Sequence, residues 1–177
     1  MTSLNRRALL AGSAAAGVVA LAGPSRAEET PGVTATEIKI GCTTSLSGPV
    51  SALGTIARCS DAYFRMVNDQ GGIGGRKISF IFYDDAFNPA KTVEQTRKLV
   101  ESDEVAFLFS MLGTAPNSAV VKYINAKKVP HLFLSVNGDK WGDYQNYPWT
   151  MGFAPSSRTE AQVFAKYALS QKPDAKF

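Results

Sequence analysis

The scarcities of this chain narrow it first. One histidine and two cysteines among 177 residues make a poor stock of ligands for a metal site. No G-x-S-x-G elbow, phosphate loop or metal-binding pair occurs. The uncharged run from Ala8 to Ala22 falls short of the roughly 20 residues a membrane-spanning helix needs. Charge of one sign is scarce too. The 19 basic residues exceed the 15 acidic ones, but Arg6, Arg7 and Arg26 lie in a leader, and the remainder is close to balance. Nothing in that balance argues for nucleic acid or an acidic surface as partner.

The leader spans residues 1–27. Asn5-Arg6-Arg7 precedes the apolar run, and Ser25-Arg26-Ala27 is a small-x-small cleavage site, the pattern of an export signal. The arginine pair suggests the twin-arginine route, with an ordinary secretory signal as the alternative. No cysteine stands at the cleavage point, so no lipid anchor is expected. The remaining 150 residues can make one domain with a substantial core.

Export permits a disulfide between Cys42 and Cys59. Cys42 ends the first strand and Cys59 lies in the next helix, and the plainer reading is two separately buried thiols. The lone His131 sits inside an apolar strand beside Pro130 and reads as a packed core residue rather than a general base.

Strands and helices alternate along the rest. Glu37 to Cys42 alternates as strand 1. A hydroxyl- and glycine-rich loop, 43–54, leads into a helix over 55–68, with Ile56, Cys59, Ala62, Tyr63, Met66 and Val67 on its inner face. Four glycines in positions 71–75 then end the helix and reverse the chain into strand 2, 78–83. A dinucleotide fingerprint needs strand, glycines, helix; here the order is helix, glycines, strand, so the glycines are a turn. Asn88 caps a helix that opens with Pro89 and runs to about Ser102, with Val93, Thr96, Arg97, Leu99 and Val100 inward. Strand 3 is the unbroken apolar run 105–109. A helix over 117–126, strand 4 over 129–134, a short strand over 149–153 and a capped helix over 156–170 follow. This order predicts an α/β fold: an open parallel sheet with helices on both faces.

In such sheets ligands sit beyond the carboxyl ends of the strands, which selects loops 43–54, 84–89, 110–116 and 135–141. Asp84 and Asp85 are the one carboxylate pair there. Adjacent strand residues point to opposite faces, so they read as braces for the loops rather than an acid–base pair. Gly113-Thr114 is the better candidate, because the outward N–H groups and dipole at a helix start favour an anion and Thr114 adds a hydroxyl. The alternative is that Thr114 caps its own helix.

Ile38-Lys39-Ile40-Gly41, Leu46-Ser47-Gly48-Pro49, the run from Asn68 to Arg76, Tyr83-Asp84-Asp85 and Pro89 together resemble the first lobe of periplasmic branched-chain amino acid (Leu/Ile/Val) binding proteins. The resemblance covers about Glu37 to Phe177. It implies residues 28–147 as lobe 1 of a periplasmic-binding-protein-like fold, and 148–177 as the hinge crossing plus the first helix of an incomplete lobe 2. It implies an exported, periplasmic, monomeric solute-binding component of an ABC importer. Such a protein works with a permease, without cofactor or catalysis, and holds an amino acid or other small carboxylate between two lobes. A receptor-directed sensor of the same fold, or a non-functional fragment, is the alternative. The family's pattern maps ligand contacts onto Ser51, Leu53, Gly113, Thr114, Asn137 and Gly138. Leu112-Gly113-Thr114-Ala115-Pro116 replaces the serine run of leucine-binding relatives and is more similar to a subgroup that takes other carboxylates, including aromatic acids. With only the start of lobe 2 present, the helix over 156–170 is expected to leave Val163, Phe164, Tyr167 and Leu169 partly exposed.

Overall fold

The computed structural model describes residues 30–174 and 176. The leader 1–27 lies outside the described residues. Five strands form one sheet in the order β2-β1-β3-β4-β5: β1 Glu37–Thr44, β2 Lys77–Asp84, β3 Phe107–Phe109, β4 His131–Leu134 and β5 Thr150–Gly152. Every pairing is parallel. The expected open parallel α/β sheet is therefore present. Its helices are α1 Thr55–Asp69, α2 Pro89–Arg97, α3 Thr114–Lys127 and α4 Ser157–Gln171.

The step from β1 to β2 runs one way along the sheet, and the step from β2 to β3 runs back past β1. Right-handed crossovers then place α1 on one face and α2 and α3 on the other. The larger core cluster lies on the α2–α3 side: Cys42, Leu99, Val105, Leu108, Met111, Val120 and Ile124. On the α1 side Phe64 meets Phe80 and Phe109 edge-on, at ring separations of 5.2 and 5.7 Å. Phe133 and Phe153 extend this row toward β5.

Several elements differ from the sequence reading. α1 is turned by about one residue. Ala57 is buried and Phe64 faces the sheet, whereas the expected inner residues Ile56, Cys59, Tyr63 and Met66 are exposed, Tyr63 by 59%. The small Ala57 permits close approach, the phenylalanine needs the sheet's aromatic row, and Asn68 locks the rotation. Its side chain accepts from Ile78 N and donates to Ile78 O, both at 2.7 Å. Cys42 is buried but Cys59 is not, and both are free thiols, so only one of the pair matches the expectation of burial. Arg97 also points outward, over the Tyr123 ring.

α2 is capped as expected, with Asn88 accepting from Ala90 N and Lys91 N. Its last turn widens into a π turn over Lys98–Ser102. In the glycine turn, Gly72 has φ +77° and any Cβ would overlap the Arg76 carbonyl. α3 begins three residues earlier than predicted, because Gly113 takes the cap position and Pro116 fits the first turn. Ser156 caps α4 through Thr159 N. Glu160 therefore does not close a capping box and reaches Asn137 instead. No residue of α4 is buried, and Val163, Phe164, Tyr167 and Leu169 are all exposed, as expected. Among the described residues no helix is long and apolar enough to cross a membrane.

Candidate functional site

All four loops at the carboxyl ends of β1 to β4 meet along one edge, and hydrogen bonds to two carboxylates fix the first two. Asp84 accepts from Leu46 N at 2.8 Å, Ser47 N at 3.2 Å, Ala86 N at 2.9 Å and Ser47 Oγ. Asp85, buried, accepts from Ser45 Oγ at 3.3 Å, Thr92 Oγ1 at 3.0 Å and Phe87 N at 2.9 Å. The pair thus braces the loops, one carboxylate to each side, as its alternation along the strand implies. Desolvation raises the Asp84 carboxyl, but the Ser47 hydroxyl and the N–H groups of Ala86, Leu46 and Ser47 outweigh it and hold the group down at about 2. Behind them, burial pushes the Cys42 thiol well up, and the Asp85 charge adds to that rise.

The β2–α2 turn carries strain. Ala86 and Phe87 both have positive φ, 50° and 58°, in a tight turn closed by Asn88 N to Asp85 O at 2.8 Å. Two consecutive left-handed residues suit Asn-Gly; for alanine and phenylalanine the cost is about 1–2 kcal/mol each. Gly48 of the first loop packs on this turn, where a Cβ would stand 3.0 Å from Ala86 O. On the other side Gly113, at φ +89°, lies under the Phe87 ring; a Cβ would stand 3.0 Å from Phe87 Cζ and closer still to Cε2. Gly48, Ala86, Phe87 and Gly113 therefore form a continuous wall.

Gly113 is the N-cap of α3 and no side chain caps the helix. Thr114 occupies the next position and is exposed, so it does not cap its own helix. No described group accepts from the N–H of Thr114 or Ala115, and Pro116 has none to give. Asn117, fully buried, holds this turn in place by donating to Met111 O at 3.0 Å and Gly113 O at 2.7 Å. The result is an open helix start with two free donors, a hydroxyl and the positive end of the dipole.

The other predicted contacts lie on either side. Ser51 and Leu53 belong to a 3₁₀ turn, Ser51–Gly54, and Leu53 is 47% exposed. Ser51 N reaches Gly48 O at 3.3 Å, which places the turn beside the wall, although no described hydrogen bond ties either side chain to the other four residues. Asn137 and Gly138 follow β4. The Asn137 amide donates to Glu160 Oε2 at 3.2 Å and its carbonyl accepts from Ser157 N at 2.7 Å, so this residue anchors α4. Arg158 adds a pair with Asp139 at 2.9 Å. Gly138, Trp141, Met151, Gly152 and Ser156 line a cavity of about 230 Å³ beside that anchor. The two sides are joined by Lys140, whose ammonium donates to Ser118 Oγ, which donates to Thr114 O. Structure thus brings Gly113-Thr114 and Asn137-Gly138 along one edge.

Phe87, Asn117 and Lys140 were missed by sequence reasoning. Lys140 carries no local signal, since its partner Ser118 comes from another element, whereas Asn117 reaches back only to the cap and loop of its own helix, at Gly113 and Met111. Phe87 had a weak one, an aromatic between a carboxylate pair and Asn-Pro, where a turn calls for small or polar residues. Among the described residues no three His, Cys, Asp or Glu side chains gather to hold a metal. His131 is buried in β4 with neither ring nitrogen hydrogen-bonded to a described group, and burial lowers its imidazole to about 3.

The profile of the periplasmic binding protein family matches residues 37–177. The chain belongs to that family. It is 30% identical over 143 residues to Leu/Ile/Val-binding protein homolog 3 of Brucella melitensis biotype 1, covering 79% of this chain and 38% of the relative. Among solved structures, a fatty acid ABC transporter substrate-binding protein from Thermomonospora curvata superposes with a TM-score of 0.72 at 25% identity, over 85% of this chain and 37% of that one. A branched chain amino acid ABC transporter protein from Thermus thermophilus with bound valine gives 0.70 at 16% identity, over 77% and 36%; at that identity the likeness is one of fold. These relatives are solute-binding proteins and not enzymes. The chain spans well under half the length of each.

Proposed function

We propose that this chain is the ligand-receiving first lobe of an exported solute-binding protein of an ABC importer. On this reading residues 28–147 form the lobe, and 148–177 cross the hinge and begin a second lobe. A small carboxylate, from an amino acid or another acid, docks on the open start of α3. It docks beside Gly113, the N–H groups of Thr114 and Ala115 and the Thr114 hydroxyl donate to it, and Ser51, Leu53, Asn137 and Gly138 flank it. The observation that carries this reading is the uncapped first turn of α3, with two free donors at the carboxyl edge of a sheet whose family binds solutes. Delivery to a permease, periplasmic location and a monomeric state belong to the same reading.

A thermal-shift screen tests it. A solute that binds the native state raises its stability as RT ln(1 + [L]/Kd). The chain continued through a second lobe should be stabilised by one of L-valine, octanoate or benzoate, probes chosen across amino, fatty and aromatic acids. No shift with any carboxylate, alongside a shift with a neutral sugar or a cation, would overturn the anion site.

A further inference from the structure

The anchor that ties α4 to the sheet rests on the only Asn-Gly step in the sequence, Asn137-Gly138. Asparagine is a thermolabile residue, because the backbone nitrogen of the next residue can attack its side-chain amide. That attack needs an uncommitted N–H on a flexible, unhindered successor, and glycine is the least hindered of all. The fold withholds these conditions from every other described asparagine. Asn68, Asn117 and Asn125 lie inside α1 and α3, where helical bonding holds the following amide. Asn88 is followed by Pro89, which has no N–H. After Asn146, Tyr147 N donates to Asp143 O at 2.9 Å. By contrast, Gly138 N has no acceptor among the described residues, and Asn137 and Gly138 are both half-buried in a loop.

We propose that Asn137 is a site of spontaneous deamidation, and that its conversion releases α4 from the sheet. The Gly138 nitrogen attacks the Asn137 side-chain carbonyl carbon. The bond from that carbon to the amide nitrogen breaks, and ammonia leaves carrying the Gly138 proton. Water then opens the cyclic imide at one carbonyl to give aspartate, or at the other to give isoaspartate. Either product alters the anchor at its centre. The amide that donates to Glu160 Oε2 at 3.2 Å becomes a carboxylate facing a carboxylate, and like charges repel. Isoaspartate also reroutes the backbone through the side chain, which takes the main-chain carbonyl away from Ser157 N, its partner at 2.7 Å. No residue of α4 is buried, so the Arg158–Asp139 pair at 2.9 Å is left as the main polar tie. The reaction does not depend on the solute reading; on that reading the new charge also repels a carboxylate at the α3 start.

The test uses this chain as it stands. The protein is held for weeks at neutral and at mildly alkaline pH, and its tryptic peptides are followed by mass spectrometry. Peptide 129–140 contains Asn137 as its only asparagine. It should gain the mass of a hydroxyl in place of an amine and split into two products. Conversion should be faster at the higher pH, because the attacking nitrogen must lose its proton. The peptides carrying Asn68, Asn117, Asn125 and Asn146 should stay unchanged, and a free peptide of sequence 129–140 sets the unfolded rate. Asn137→Asp stands in for the product. Hydrogen exchange of the α4 amides should speed up about fivefold in it, the effect of one lost hydrogen bond, while the sheet amides keep their rates. No conversion at Asn137 while the free peptide converts would overturn the site. Equally fast conversion of another asparagine would refute the selection by structure. Unchanged α4 exchange in Asn137→Asp would overturn the release of α4.

Discussion

His131 makes acid a specific threat to this fold. The ring is completely buried, and neither nitrogen has a hydrogen-bond partner among the described residues. Burial lowers its pKa from 6.5 to about 3. The folded state therefore favours the neutral ring, and the unfolded chain binds the proton first. Stability tied to this group is full above pH 6.5 and is lost as pH falls from 6.5 toward 3. Integrating between those limits, going from pH 7 to pH 5 removes about 2 kcal/mol. With a urea slope near 2 kcal/mol/M for a chain of this size, the unfolding midpoint should drop by about 1 M. His131→Leu keeps a similar volume and removes two unpaired polar atoms, so it should be neutral or stabilising at pH 7. Its midpoint should barely move between pH 7 and pH 5. Urea unfolding of both proteins at three pH values decides the matter. A His131→Leu curve as pH-sensitive as the wild type, or a leucine variant destabilised by more than about 2 kcal/mol at pH 7, would refute the reasoning.

Other outcomes follow from single contacts. Asp84, held at about 2 against an ordinary 3.8, contributes stability above pH 4 that fades as pH falls toward 2; Asp84→Asn should flatten that part of an acid-unfolding curve, read by circular dichroism. Asn88→Ala removes the cap that serves Ala90 and Lys91 and should cost about 1 kcal/mol in urea unfolding. Thr114→Val, in the chain carrying both lobes, should weaken carboxylate binding by about 1.5–3 kcal/mol in isothermal titration; unchanged affinity would remove the hydroxyl from the site. Because no residue of α4 is fully buried, limited proteolysis should cut between Asp143 and Ser157 before it cuts the rest of the sheet domain, and mass spectrometry of the first fragments checks this.

Local patterns in the sequence decided most of the architecture. The unbroken apolar run of β3, the Asn88-Pro89 start of α2 and the glycines before β2 each act through neighbouring backbone, so element order and parallel pairing could be read without contacts. The carboxylate braces were legible for the same reason, since alternation along a strand sends Asp84 and Asp85 apart. The candidate residues were legible only through family resemblance and the rule about strand ends. Tertiary structure decided the rest. The rotation of α1 depends on Phe64 finding Phe80 and Phe109, which a helical period cannot choose between neighbouring faces. The true start of α3 depends on Gly113 fitting beneath Phe87. Asn137 anchors α4 because Glu160 is freed from its cap by the choice of Ser156. In the first two cases the deciding contact joins residues distant in the chain, and in the third the local Ser156 cap frees Glu160 for the distant Asn137; packing selects among conformations that local propensity leaves nearly equal.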